Sequence, residues 1–270
     1  MKKKTSPTWF RRMYIPVLLM SLPVVSSAQA VTPVSFDFGT DPGETTFSDA
    51  EFNAASAGRF TISTQADSVR FKSTANNQTG GITRTFAGLG GGLKNDFTIT
   101  AKFTLSEFYS NTGGGRPGSI ILFANSSSAA DINNTGLTIQ IVTRNTFGHE
   151  DLSITSGINH FRPVNSNTKW DNNGLSKGDI LELKVDVSFS GADDMLVNAT
   201  LTRLNGAGGS RTVSVSTSAS TFIGGEYFGF GGRFKNAYTT DLDTFSVIPE
   251  PGTLVLLGAL GQPAVFRRRR

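Results

Sequence analysis

Three groups of residues in this chain have the types and spacing to do chemistry. Asp241 and Asp243 stand two apart, so on an extended chain their carboxylates project to the same face, and hard oxygens so placed suit Ca²⁺. The alternative is an aspartate turn in which Asp243 accepts hydrogen bonds from backbone amides. Trp170 lies among Asn165, Asn167, Asp171, Asn172 and Asn173. An aromatic face beside amides and a carboxylate is a sugar-binding arrangement, which makes Trp170, Asn167, Asp171 and Asn172 the expected ligand contacts. The competing reading has the indole plugging an open edge of the fold. Tyr109, beside the Gly113–Gly115 run, and Tyr238 are further aromatic candidates.

Catalytic chemistry lacks its parts. Glu182 and Asp186 share one face of an alternating run, but Lys184 stands between them, so a solvated charged surface is expected there rather than an acid–base pair. The chain has no cysteine, which excludes thiol catalysis and cysteine metal sites and leaves burial alone to hold the fold. Of the two histidines, His149 sits in Phe147-Gly148-His149-Glu150-Asp151 with no elbow-type serine motif, and it reads as a surface residue. No cofactor is expected, Ca²⁺ being the one metal that the acidic residues suit.

Both ends of the chain have the composition of address labels. Residues 1–12 carry Lys2, Lys3, Lys4, Arg11 and Arg12 without an acid, Tyr14 to Val25 is mostly apolar, and Ala28-Gln29-Ala30 offers small residues for cleavage. That is the pattern of a secretory signal peptide over residues 1–30, cut after Ala30. At the other end Pro249-Glu250-Pro251 precedes an uncharged run from Thr253 to Phe266 and a block of Arg267, Arg268, Arg269 and Arg270. Each proline removes a backbone donor and biases its predecessor away from helix, so the box is extended and accessible. The run reaches about 21 Å as a helix, short of a hydrocarbon core about 30 Å thick, and arginine stems can snorkel across the deficit. By the positive-inside tendency the arginines stay cytoplasmic and the body lies outside.

The net charge of +4 belongs to these ends. Of 25 Lys and Arg, five precede Val31 and four follow Ile248; of 21 Asp and Glu only Glu250 lies in the ends, which leaves 16 against 20 and a net of −4. A mildly acidic body without blocks of like charge gives no support to a nucleic-acid partner.

Positioning of the candidate residues falls to strands. Phe97, Ile99, Ala101, Phe103 and Leu105 alternate with polar residues, as do Leu137, Ile139 and Ile141, and Leu181, Leu183, Val185, Val187 and Phe189. Such period-two runs put one face in a core and the other in water. Weaker strands are expected at 59–63, 69–73, 81–86, 119–124, 195–204, 211–216, 227–230 and 243–247, with Gly- and Asn-rich turns between them. Many short strands without helical periodicity or a fixed repeat point to a two-sheet sandwich or a barrel over residues 31–247.

Two resemblances sharpen this expectation. The Pro-Glu-Pro box, apolar run and arginine block over residues 248–270 resemble the bacterial PEP-CTERM sorting signal. That likeness implies export, transient anchoring in the inner membrane, processing by an exosortase-type enzyme and delivery to the cell surface or extracellular matrix. The body resembles the concanavalin A-like lectin/glucanase superfamily, including laminin G-like domains. The likeness rests on the opening Val34-Ser35-Phe36-Asp37-Phe38-Gly39, the run from Asp96 to Phe103, Trp170 followed by Leu175 to Val185, and the closing Tyr227 to Phe234 and Asp241 to Val247. It implies an all-β, two-sheet antiparallel β-sandwich of jelly-roll type, flanked by the signal peptide and a short hydrophobic C-terminal helix. In such sandwiches the first and last strands are neighbours, which would bring Asp37 to Asp241 and Asp243. The superfamily's hydrolases carry Glu-x-Asp-x-x-Glu on one strand, a motif this chain lacks, so the expectation is a non-enzymatic envelope or matrix protein that contacts polysaccharide. The alternatives are a secreted glycoside hydrolase-like enzyme and a purely structural matrix protein.

Overall fold

The structure, a computed structural model, describes residues 33–85, 96–108, 115–124, 136–143, 151–156, 159–161, 174–190, 193–206, 209–219, 225–234 and 238–250. Among these the chain forms β1 (Val34–Asp37), β2 (Asn53–Ser56), β3 (Phe60–Thr64), β4 (Val69–Ser73), β5 (Gln78–Thr85), β6 (Phe97–Glu107), β7 (Arg116–Ala124) and β8 (Leu137–Val142). There follow β9 (Asp151–Ser156), β10 (Asn159–Phe161), β11 (Ile180–Ser190), β12 (Asp194–Arg203), β13 (Gly209–Ser218), β14 (Tyr227–Phe234) and β15 (Thr239–Pro249). They build two antiparallel sheets, one in the order β13-β12-β11-β6-β15-β4-β3 with β1 also on β15, the other β10-β9-β8-β7-β14-β5-β2. The expected sandwich is the fold.

The long period-two runs are its inner faces. Along β6 the burial alternates without a break from Phe97 to Leu105, and β11 and β12 do the same in register, Leu183 opposite Ala101 and Leu201. Phenylalanines join the two layers: Phe103 and Phe71 of one sheet meet Phe230 of the other at 5.0 and 5.5 Å between ring centroids, and Phe60 meets Phe234 at 4.9 Å. Tilted and edge-on pairs of this kind add about 0.5–1.5 kcal/mol each beyond their burial, which is how a body without disulfides holds its layers together.

β15 is the strand on which the first sheet closes. Its first half pairs with β4 and its second half with β1, Val247 opposite Val34, as expected of first and last strands. Against β6 its register shifts between Leu242 and Thr244, which makes Asp243 the extra residue of a bulge. The strand also runs two residues past Val247: Pro249 pairs with Phe97, and the Glu250 amide donates to the Asp96 carbonyl at 2.9 Å. The first half of the Pro-Glu-Pro box is therefore sheet, while Pro251 and everything after it lie outside the described residues. The two closing strands are not partners, because β14 sits in one sheet and β15 in the other.

Candidate functional site

In a sandwich the outer face of a sheet is ordinarily its wet face. The eight-stranded sheet obeys: Glu182, Lys184 and Asp186 of β11 look outward, half-buried or exposed, with Asp186 taking hydrogen bonds from Thr98 at 2.6 Å and Lys184 at 3.0 Å. These are the partners of a solvated surface, as expected.

The seven-stranded sheet does not obey. β8 is buried at every position, so Thr138 and Gln140, which alternate with the core residues Leu137, Ile139 and Ile141, are withdrawn from water as well. Their outward neighbours follow suit. Ser119 of β7, Gln140 of β8 and Ser153 of β9 stand opposite one another in consecutive register and are each 0% exposed. Gly231 of β14 faces Ser119, Gly81 of β5 faces Gly231, and Ala55 of β2 faces Gly81, which completes one row across six strands. The row runs from a half-buried end at Ala55 to a fully buried end at Ser153. With strands about 4.8 Å apart, its three polar side chains are spread over about 10 Å.

Among the described residues Ser119 Oγ, Gln140 Oε1 and Ser153 Oγ make no hydrogen bond, although Gln140 Nε2 donates to Thr155 Oγ1 at 2.7 Å. A buried polar atom left without a partner costs about 1–3 kcal/mol, so three in one row require an explanation. The rows on either side differ in character. On one side lie Ile121, Thr138 and Thr155, and Ile121 with Ala124 forms a small apolar cluster against which Ala55 and the half-buried Tyr227 pack. On the other, Arg116 stands opposite Arg233. The face thus sets an aromatic and apolar patch, a hydroxyl–amide–hydroxyl row and a cationic end side by side. Gly229 lets the strands bring this face together: a Cβ there would lie 1.9 Å from the Ile82 carbonyl oxygen and 2.8 Å from Thr83 Cα.

The residues singled out in the sequence fall elsewhere. Trp170, Asn167, Asp171 and Asn172 lie outside the described residues, as do Tyr109, His149, Ala28, Ala30 and Arg267 to Arg270. Tyr238 is fully buried, packed on Phe108 at 5.3 Å and Phe234 at 6.1 Å, so it is a core anchor and not a ligand platform. Asp241 and Asp243 are engaged by cations instead of converging on a metal. Arg70 grips Asp241 with Nε at 2.8 Å and Nη2 at 2.9 Å while the Ser106 hydroxyl donates to the same carboxylate, and Lys102 reaches Asp243 at 2.5 Å. The Asp241 hydrogen bonds, followed by burial acting the other way and then by charge, leave the Arg70 pKa raised above its ordinary value. Asp37 is exposed opposite Thr244, and the trio Asp37, Asp241 and Asp243 does not come together.

Among the described residues the carboxylates that do converge are Asp41, Glu44 and Asp67, whose oxygens lie within 4.8 Å of one another beside the turn after β1. Glu44 also accepts the Asp41 amide at 3.1 Å. Three side chains are half or less of the six to eight oxygens that calcium takes.

No family model matches the chain, and no curated protein matches it. Solved structures do. A lectin from Bauhinia forficata in complex with GalNAc superposes with a TM-score of 0.51 at 10% identity, covering 81% of this chain and 99% of the lectin. Lectin I-B4 from Griffonia simplicifolia, in a metal-free form, gives 0.51 at 11% identity over 81% of this chain and 100% of its own. The body is a lectin-like β-sandwich in its fold.

Proposed function

We propose that this chain is an exported, non-enzymatic carbohydrate-binding protein whose ligand lies along the outer face of the seven-stranded sheet. The observation that carries the proposal is the row of Ser119, Gln140 and Ser153, whose buried Oγ, Oε1 and Oγ atoms on adjacent strands have no hydrogen-bond partner among the described residues. Tyr227, half-buried beside the apolar cluster, supplies an aromatic surface that stacks on a sugar ring, and a polyhydroxylated ligand that reaches the buried row behind it supplies what that row lacks. The lectin likeness supports this at the level of the fold, one of the two similar lectins being bound to GalNAc. Hydroxyls and a carboxamide do not titrate near neutral pH, so the row is equipped to hold a sugar and not to exchange protons with it.

Delivery follows from the two ends. The signal peptide over residues 1–30 sends the chain out, and the box and arginine block over residues 248–270 hand it to an exosortase-type enzyme at the inner membrane for release to the cell surface or matrix. Mass spectrometry of the mature protein from its native host tests this: loss of residues 1–30 and of the arginine block is expected, and a full-length cytosolic chain contradicts it.

The binding proposal is tested by titrating the protein with oligosaccharides chosen from a glycan array, beside the Ser119→Ala/Ser153→Ala double variant. Wild-type affinity lost in the folded double variant supports it. Equal affinity in the two proteins refutes it.

A further inference from the structure

We propose that the processing enzyme cuts this chain beyond Pro251, so that the mature body keeps the Pro-Glu-Pro box at the end of its last strand; this rests on the delivery proposed above. The pairing of β15 carries the proposal. Val247 is fully buried and lies between two strands, opposite Ile99 of β6 and Val34 of β1. β1 begins at Val34, but β15 runs on along β6, with Ile248 opposite Thr98 and Pro249 opposite Phe97. The Glu250 amide then donates to the Asp96 carbonyl at 2.9 Å, and the Asp96 carboxylate accepts the Phe189 amide of β11 at 2.8 Å. The start of the box is thus tied to β6 directly and to β11 through Asp96.

An enzyme that cuts a peptide bond holds its substrate extended, with backbone groups pairing in its own cleft. From Val247 to Glu250 the backbone is already paired within the sheet. Strand ends fray at little cost, but fraying stops at Val247, whose side chain is in the core and which two strands flank. Only Ile248, Pro249 and Glu250 can be lifted away, and Pro249 has no N–H to offer. The Glu250–Pro251 bond presents a second obstacle, because its nitrogen belongs to a ring, carries no hydrogen and has a fixed φ. Among the described residues the pairing ends at Glu250, and Gly252 is the next residue with an N–H. A cut beyond Pro251 breaks one C–N bond, water giving OH to the carbonyl carbon and H to the leaving nitrogen. It separates the four arginines from the body without disturbing β15.

The protein is purified from its native host and digested with a protease that cuts before aspartate. No aspartate follows Asp243, so the peptide that starts there carries the C-terminus, and its fragmentation in the mass spectrometer reads the last residue. A last residue at or after Pro251, with the arginine block gone, is expected. A last residue at or before Glu250 overturns the inference and leaves delivery standing, whereas an intact chain ending in Arg270 brings both down. A second measurement locks the strand end. The chain has no cysteine, so Thr98→Cys/Ile248→Cys places a single disulfide across a facing pair, where antiparallel partners lie about 4.5–5.5 Å apart. Thiol labelling checks that it has closed. The locked chain is expected to be processed at the same bond and to the same extent as the wild type. Processing lost in the locked chain and regained in Thr98→Ser/Ile248→Ser overturns the inference, because the enzyme would then be lifting β15 from β6.

Discussion

Removing a hydroxyl from the heart of a fold usually weakens it, and at Ser119 and Ser153 the opposite is expected. Both side chains are fully buried on the outward face of the seven-stranded sheet, and neither Oγ has a hydrogen-bond partner among the described residues. In the ligand-free protein each hydroxyl carries a desolvation cost of about 1–3 kcal/mol, which alanine removes with little change in volume. The lower end of that range is the safer one, so the double variant gains about 2 kcal/mol, the two sites being two strands and about 10 Å apart and so close to additive. For a domain of 150–250 residues about 1 kcal/mol moves Tm by about 2–4 °C. The double variant is thus expected to melt about 4–8 °C above the wild type by circular dichroism without glycan, and to lose glycan binding. Groups kept for a ligand at a cost to the fold behave in this way. A Tm that falls in both single variants would refute the reasoning, because it would mean that the hydroxyls contribute hydrogen bonds to the folded state.

Three further outcomes follow from the packing. Gly229→Ala places a Cβ against the Ile82 carbonyl oxygen at 1.9 Å, and urea unfolding should show a loss of about 1–3 kcal/mol or more. Arg203→Ala removes the cation from the Asp179 carboxylate, to which Arg203 Nη2 reaches at 2.8 Å with both side chains largely buried, and should cost about 3 kcal/mol by the same assay, the Ser176 amide still donating to that carboxylate. Asp241→Asn weakens the grip of Arg70, whose side chain is 40% exposed, so a loss of about 1 kcal/mol is expected at neutral pH. The Arg70 pKa is raised in the folded state, so the stability it brings is complete from neutral pH up to the ordinary arginine value and fades only above it. The difference between wild type and Arg70→Gln should therefore stay flat from about pH 7 to pH 10.

The sandwich was legible in the sequence wherever one face of a strand is apolar and the other polar. β4 (Val69–Ser73) matches its expected bounds, and β6, β8, β11 and β12 lie within two residues of theirs, because alternation registers directly which side is buried. β2, with only Asn53-Ala54-Ala55-Ser56, and β9 and β10, Asp151–Ser156 and Asn159–Phe161, carry too little of that contrast to be seen, and it is pairing with β5 and β8 that makes β2 and β9 strands. Asp241 and Asp243 show a different limit. Their spacing predicts a shared face, but the bulge at Asp243 and the cations Arg70 and Lys102 are long-range facts that spacing does not encode.

The candidate site was missed for a related reason. Thr138 and Gln140 look like any polar strand face, and period two assigns such a face to solvent. One local signal was available: the outward face of β11 carries Glu182, Lys184 and Asp186, whereas those of β8 and β9 offer Thr138, Gln140, Ser153 and Thr155, in the sheet that also holds the glycine-rich β14. A run of hydroxyls and amides, in a sheet with one strand short of side chains, fits a surface that will be covered.

Amide shifts in a two-dimensional NMR titration of the ¹⁵N-labelled protein with the tightest oligosaccharide from the array test the central claim most directly. The account predicts that the changes concentrate on Ser119, Gln140, Ser153, Gly231 and Tyr227. Changes confined to the outward face of the eight-stranded sheet, around Glu182, Lys184 and Asp186, would contradict it.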